Sequence, residues 1–269
     1  MKFLHARPRF RRGEIIADTR PSLILSFFYA FVKLFRKRRK ETPHKSADCA
    51  LCGIALREGL AVCKCELVAR MDSDDISLPL RMEHQLAAMA ADPKLDVVGG
   101  QIAEFAESPE KILCYRKVNV SPEDVRRSAA GRNPMNHMTV LFRKSSVLAA
   151  GGYEDMKGFE DYYLWGRMLA AGYRLANLPE VCVLARVAGL QSRRGGWKYF
   201  RQTVRLERAL RSCGLFGAGT YYKNLLIRFC GTVLLPDGLR QRAYQRYLRH
   251  DDMPETPWAG TLTDHNSEE

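Results

Sequence analysis

ELVARMDSDDISLPLRMEHQL, residues 66–86, changes character twice. Its apolar opening, within CELVARM (65–71), reads as a short strand. The strand ends on Asp72, Ser73, Asp74 and Asp75, and SLPLRMEHQLAAMAAD (77–92) then reads as a helix with Ser77 as N-cap and Pro79 in its first turn. In α/β sheets, loops at the carboxyl ends of strands line the ligand crevice. The stretch therefore predicts a fold class and marks a place for chemistry.

The same alternation continues outward. Upstream, residues 50–67 suggest a helix with Ile54, Leu56, Leu60 and Val62 as apolar contacts. Downstream, LDVVGGQIAEF (95–105) reads as a strand broken by its glycine pair. NHMTVLFRKSSVLAAGGY (136–153) reads as a strand and a short helix stopped by Gly151 and Gly152, and DYYLWGRMLAAGYRLANLP (161–179) as a helix, a glycine stop and a strand. Residues 197–249 are helical and basic, with a break at Pro236 and Gly238. The expected organisation is a basic leader over 1–49, an α/β domain over 50–196, a basic amphipathic helical tail over 197–250 and a disordered end over 251–269.

A chain of 269 residues with 46% hydrophobic content can bury a sizeable core. Its formal charge of +13 is uneven: residues 1–50 hold 13 Lys/Arg against 4 Asp/Glu, leaving 30 against 26 in the rest. The basic excess thus belongs to the leader, and nucleic acid is not an expected partner. The eight cysteines form no secreted disulfide pattern, which points to reduced thiols in the cytoplasm. LILSFFYAFVKLF (23–35) is interrupted by Lys33 and followed by RKRRK (36–40), a pattern that suits a helix lying on an anionic membrane surface as well as it suits a plain terminal helix.

Two carboxylates spaced one residue apart can both face a hard cation such as Mg2+ or Mn2+, which takes oxygen ligands and bridges to substrate phosphates. An Asp-rich turn capping a helix is the alternative. The wider sequence weighs between them. GIALREGLAVCKCELVARMDSDDISLPLRMEHQL (53–86), NHMTVLFRKSSVLAAGGYEDMKGFEDYYLWGRMLAAGYRLANLPEV (136–181), RVAGLQSRRGG (186–196) and LLPDGLRQRAYQRYLR (234–249) together resemble the family 2 glycosyltransferases of GT-A fold, inverting enzymes that use nucleotide-diphospho-sugars.

The resemblance covers about residues 53–249 and implies a GT-A-like mixed, mostly parallel sheet flanked by helices. It implies that Asp72 and Asp74 are the Asp-Xaa-Asp pair, Asp74 as the direct ligand of Mg2+ or Mn2+, Asp72 nearer the metal or the donor ribose, and Asp75 supporting the loop. Asp161 becomes the catalytic base, with Glu160 as its alternative, although an acidic helix start is also favoured by the dipole. His137 is a substrate contact or a structural histidine. Trp165 is core or part of an acceptor-sugar platform. Arg193 and Arg194 reach a diphosphate or line a solvated turn. The implied partners are a nucleotide-diphosphate sugar and a saccharide or lipid-linked acceptor, met in the cytoplasm at the inner membrane face.

Residues 1–50 do not resemble the family's opening strand–helix–strand unit, so the expected fold lacks it. Two other classes remain: an inactive truncated relative that binds membranes or partners, and a zinc or nucleic-acid module built on Cys49, Cys52, Cys63 and Cys65. Buried free thiols are the simpler account of those cysteines.

Overall fold

A computed structural model of the chain describes residues 48–187, 195–236 and 238–239. The leader, the apolar run 23–35, Arg193, Arg194 and most of the tail beyond Pro236 lie outside the described residues. In chain order the elements are α1 (Asp48–Val62), β1 (Leu67–Ala69), β2 (Ile76–Ser77), α2 (Arg81–Ala91), β3 (Leu95–Phe105), β4 (Ile112–Arg116) and α3 (Pro122–Ser128). A 3-10 turn (His137–Thr139), β5 (Leu141–Arg143), α4 (Lys144–Ala149), α5 (Glu160–Ala170) and β6 (Arg174–Arg186) follow. The helices α6 (Gly196–Ser212) and α7 (Ala218–Phe229) and a π-turn (Cys230–Leu234) come last. Among the described residues, no helix is long and apolar enough to cross a membrane.

The strands form one six-stranded mixed sheet of order β1-β5-β3-β6-β2, with β4 also on β3. Its central strand is nearly all buried, as a strand covered on both faces must be. Successive side chains of β3 point to opposite faces. Val97 joins Leu56, Leu60, Phe142, Trp165 and Leu175 on one side, whereas Val98 joins Met89, Leu95 and Leu141 on the other. The helices α1 and α5 thus cover one face, and α2 the other.

Three expectations are corrected. The sheet is mixed and flanked by helices as expected, but among the described residues only β3–β6 is a parallel pairing. Strands β1, β3 and β6 do run in one sense. However, β5 lies antiparallel between β1 and β3, and β2 and β4 add antiparallel neighbours. Second, the glycine pair does not break β3, which runs unbroken through Gly99 and Gly100. The space left by the absent side chains is taken by β6: a Cβ on Gly100 would stand 2.2 Å from Cys182 Sγ. Third, Ser77 is no cap. It pairs with Val183 in β2–β6, and the helix starts four residues later behind Leu80, without a side-chain cap. The stop at Gly151 and Gly152 is as expected, both having left-handed φ, 91° and 63°.

Candidate active site

The acidic segment leaves the carboxyl end of β1 and reaches β2, on the far edge of the sheet. It is fastened along its length. Arg81, buried at the start of α2, donates to the carbonyls of Arg70 (2.8 Å) and Val140 (3.4 Å). Gln85, one turn on, donates to Val98 and Thr139. At the other end, the Arg186 amide at the close of β6 donates to Asp75 Oδ1 at 2.9 Å. Asp75 Oδ2 is buried without a partner. Burial pushes the Asp75 carboxyl up to about 6, against the Arg186 amide, with the charges of Asp72 and Asp74 adding to the rise.

The three carboxylates therefore differ. Asp72 is gripped by both terminal nitrogens of Arg70, at 2.8 and 2.6 Å. Asp75 is tied to β6. Asp74 is exposed and takes no hydrogen bond or ion pair from the described residues. Among the described residues no three His, Cys, Asp or Glu side chains gather closely enough to hold an ion. One open carboxylate with a second nearby is instead the all-oxygen donor set of a Mg2+ or Mn2+ that completes its shell with water and substrate phosphates. The residues fit such an ion on those terms.

The second acidic group opens α5. Asp161 is partly exposed, and its Oδ2 accepts from Asn133 Nδ2 at 2.6 Å. Glu160 is 7% exposed, and burial raises its carboxyl above the usual range. His137 lies near residues of both groups, Trp165 of α5 and Arg70 beside Asp72. Its Nε2 meets the Tyr153 hydroxyl at 2.9 Å, and its ring lies edge-on to Trp165, 6.0 Å between centroids. Burial first, and then the nearby charge of Arg70, hold His137 well below its ordinary value of 6.5, so the ring is neutral. Trp165 itself is fully buried in the core. Of the two readings its position allows, core or acceptor platform, full burial favours the core.

A half-buried histidine held neutral makes stability pH-dependent. The unfolded state binds a proton below pH about 6.5 that the folded state refuses, so stability is complete above that pH and is lost as the pH falls below it. His137→Gln is expected to flatten this slope, measured as the change in urea midpoint between pH 5 and pH 7.5.

Arg70 and Asn133 escaped the sequence reading. Arg70 was legible, since residues two apart in an extended segment share a side and place it against Asp72. Asn133 gave no local signal, because it reaches Asp161 across 28 positions. The cysteine reading is resolved for Cys63, a buried thiol that donates to the Gly59 carbonyl and is held protonated by burial, the reverse of a zinc thiolate. The side chains of Cys49 and Cys52 lie outside the described residues.

The family model described as "Glycosyl transferase family 2" matches residues 22–149, and so begins inside the leader that composition set apart. An uncharacterized glycosyltransferase of Haemophilus influenzae is 42% identical over 198 residues, 73% of each chain. The amylovoran biosynthesis glycosyltransferase AmsE of Erwinia amylovora is 39% identical over 72% of each. The UDP-Gal:alpha-D-GlcNAc-diphosphoundecaprenol beta-1,3-galactosyltransferase of Escherichia coli is 30% identical over 73% of this chain and 71% of that one.

Proposed function

This chain belongs to the family 2 glycosyltransferases, and on that premise we propose that it moves a sugar from a nucleotide-diphosphate donor to a saccharide or lipid-linked acceptor, with inversion and with Mg2+ or Mn2+. The observation that carries the proposal is the unequal treatment of the acidic segment. Arg70 neutralises Asp72, while Asp74 is left open at the carboxyl end of the sheet. When bound, the cation neutralises the charge that develops on the departing diphosphate. Asp74 would hold it, with Asp72, oriented by Arg70, beside it or at the donor ribose.

Asp161 takes the acceptor hydroxyl's proton as that oxygen attacks the anomeric carbon from the face opposite the diphosphate. Asn133 holds Oδ2 of Asp161, which leaves Oδ1 to receive the proton. Glu160 is too enclosed to meet an acceptor without rearrangement. His137, neutral and fixed by Tyr153, would serve as a substrate contact. Arg193 and Arg194 would add positive charge to the diphosphate. The name of the E. coli relative favours a uridine-diphosphate donor and a lipid-linked acceptor. That acceptor would be reached from the cytoplasm at the inner membrane face.

Calorimetric titration with UDP and then GDP, with and without Mn2+, tests this reading. Binding is expected to need the metal. In Asp74→Ala it should weaken at least about tenfold, since even loss of an outer partner of a metal ligand costs 10- to 100-fold. A folded wild-type chain that binds neither nucleotide would overturn the proposal.

A further inference from the structure

The helices α6 and α7 present an unusual surface. Trp197 (61% exposed), Tyr222 (65%), Leu226 (64%), Ile227 (61%) and Leu234 (61%) stand open to solvent. They are not scattered. The Trp197 ring lies 5.8 Å from that of Phe229, which gathers the start of α6 and the end of α7 into one apolar tip. Along α7, Tyr222 and Leu226 form one stripe and Lys223 and Ile227 the next, at the spacing of neighbours on a helix.

Positive charge runs along both helices. Between residues 195 and 236 the sequence holds seven lysines and arginines against one acid, Glu207. That acid is fully buried and bonded by Asn224 and Arg228, so it offers nothing to the surface and cancels Arg228, leaving six cations. Beside Lys223 the charge continues into an open cleft of about 410 Å3 whose walls include Arg127 and Arg132. Exposed Trp and Tyr with branched aliphatics on a helix rimmed by cations is the composition that seats in the headgroup region of a bilayer. Among the described residues of 195–236 no acid is exposed to answer the cations of a mixed-charge protein partner.

We propose that the open end of the α6–α7 hairpin, where the start of α6 meets the end of α7, docks this protein on an anionic lipid surface. The apolar side chains enter the headgroup boundary, and the lysines and arginines of both helices meet lipid phosphates. The placement suits the site: Tyr199, in the first turn of α6, packs 5.7 Å from Phe159, the residue just before Glu160 and Asp161. A docked hairpin would hold the candidate base near the membrane plane. The proposal does not rest on the transfer reaction, and a chain that fails to bind nucleotide could still bind vesicles.

The test is sedimentation of the full chain with vesicles of phosphatidylcholine alone, and with an equimolar mixture of phosphatidylcholine and phosphatidylglycerol. Partition onto the anionic vesicles is expected, with a blue shift in tryptophan emission that Trp197→Phe removes. Leu226→Ser with Ile227→Ser should lower partition at least about tenfold, because two aliphatic side chains no longer leave water. Lys223→Gln should lower it on the order of fivefold, by about 1 kcal/mol per charge near the surface, and salt should weaken binding of the wild type. Vesicle binding that all of these substitutions leave unchanged would overturn the proposal. So would a Trp197 emission already blue-shifted without lipid together with a dimer in solution, which would assign the tip to a second copy of the chain.

Discussion

Asp161→Asn is expected to lower kcat by about a thousandfold, on the order of 4 kcal/mol of barrier, with nucleotide affinity and fold intact. The substitution removes proton affinity and little else. The new side chain has the same shape, and its oxygen can still accept the Asn133 bond that now holds Oδ2 at 2.6 Å. The proposed reading assigns donor binding to the other acidic segment, so calorimetry with UDP and Mn2+ should not change. Glu160→Gln is the control. That carboxyl is 7% exposed and already drawn toward its neutral form by burial, so neutralising it should change kcat far less. The opposite ranking of the two variants would move the base to Glu160.

Gly100→Ala is expected to cost about 1–3 kcal/mol of stability, although the added group is a single methyl in a strand. Its carbon would lie 2.2 Å from Cys182 Sγ and 3.1 Å from Cys182 Cβ, with the Glu180 carbonyl at 3.4 Å behind them. Cys182 has no room to retreat, being 1% exposed and so enclosed that burial pushes its thiol up to about 12. The strand cannot shift freely either. The Gly100 amide donates to Thr139 Oγ1 at 3.0 Å, and its carbonyl accepts from Asn136 at 2.9 Å. These residues flank His137, so a displaced β3 would also disturb the site. Adding Cys182→Ala removes the nearer obstacle, and the double variant should recover part of the loss in a urea titration. Strict additivity of the two losses would refute the steric account.

What the sequence made legible is the acidic groups and the main helices and strands around them, though not β2, β4 or α3. Apolar runs, helix stops such as Gly151–Gly152 and the acidic turn after β1 are local signals, and each stands where expected. The misreadings share a cause, because each depends on what lies across the sheet. Gly99 and Gly100 look like a break until Asn177 and Cys182 of β6 are seen filling the space beside them. Ser77 looks like a cap until β6 claims its backbone. Trp165 could face solvent or core on a helix read alone, and only the sheet beneath α5 decides. The grip of Arg70 on Asp72 could have been read from spacing, whereas the bond from Asn133 to Asp161 could not.

The long parallel pairing of β3 with β6 also governs how the chain comes to be folded. Leu95 opposes Arg174 and Phe105 opposes Arg186, so the central strand waits for a partner made about eighty residues later, roughly 4 to 16 s at ordinary synthesis rates. During that interval β5 and β4 can shield one edge of β3, but the other edge and much of the apolar strand remain uncovered. Closure across so long a loop is slow, and an uncovered strand edge is a template for wrong pairing. Newborn chains that stall before residue 186 should therefore be the ones that chaperones hold, and full-length chains should fold in a late, concerted step.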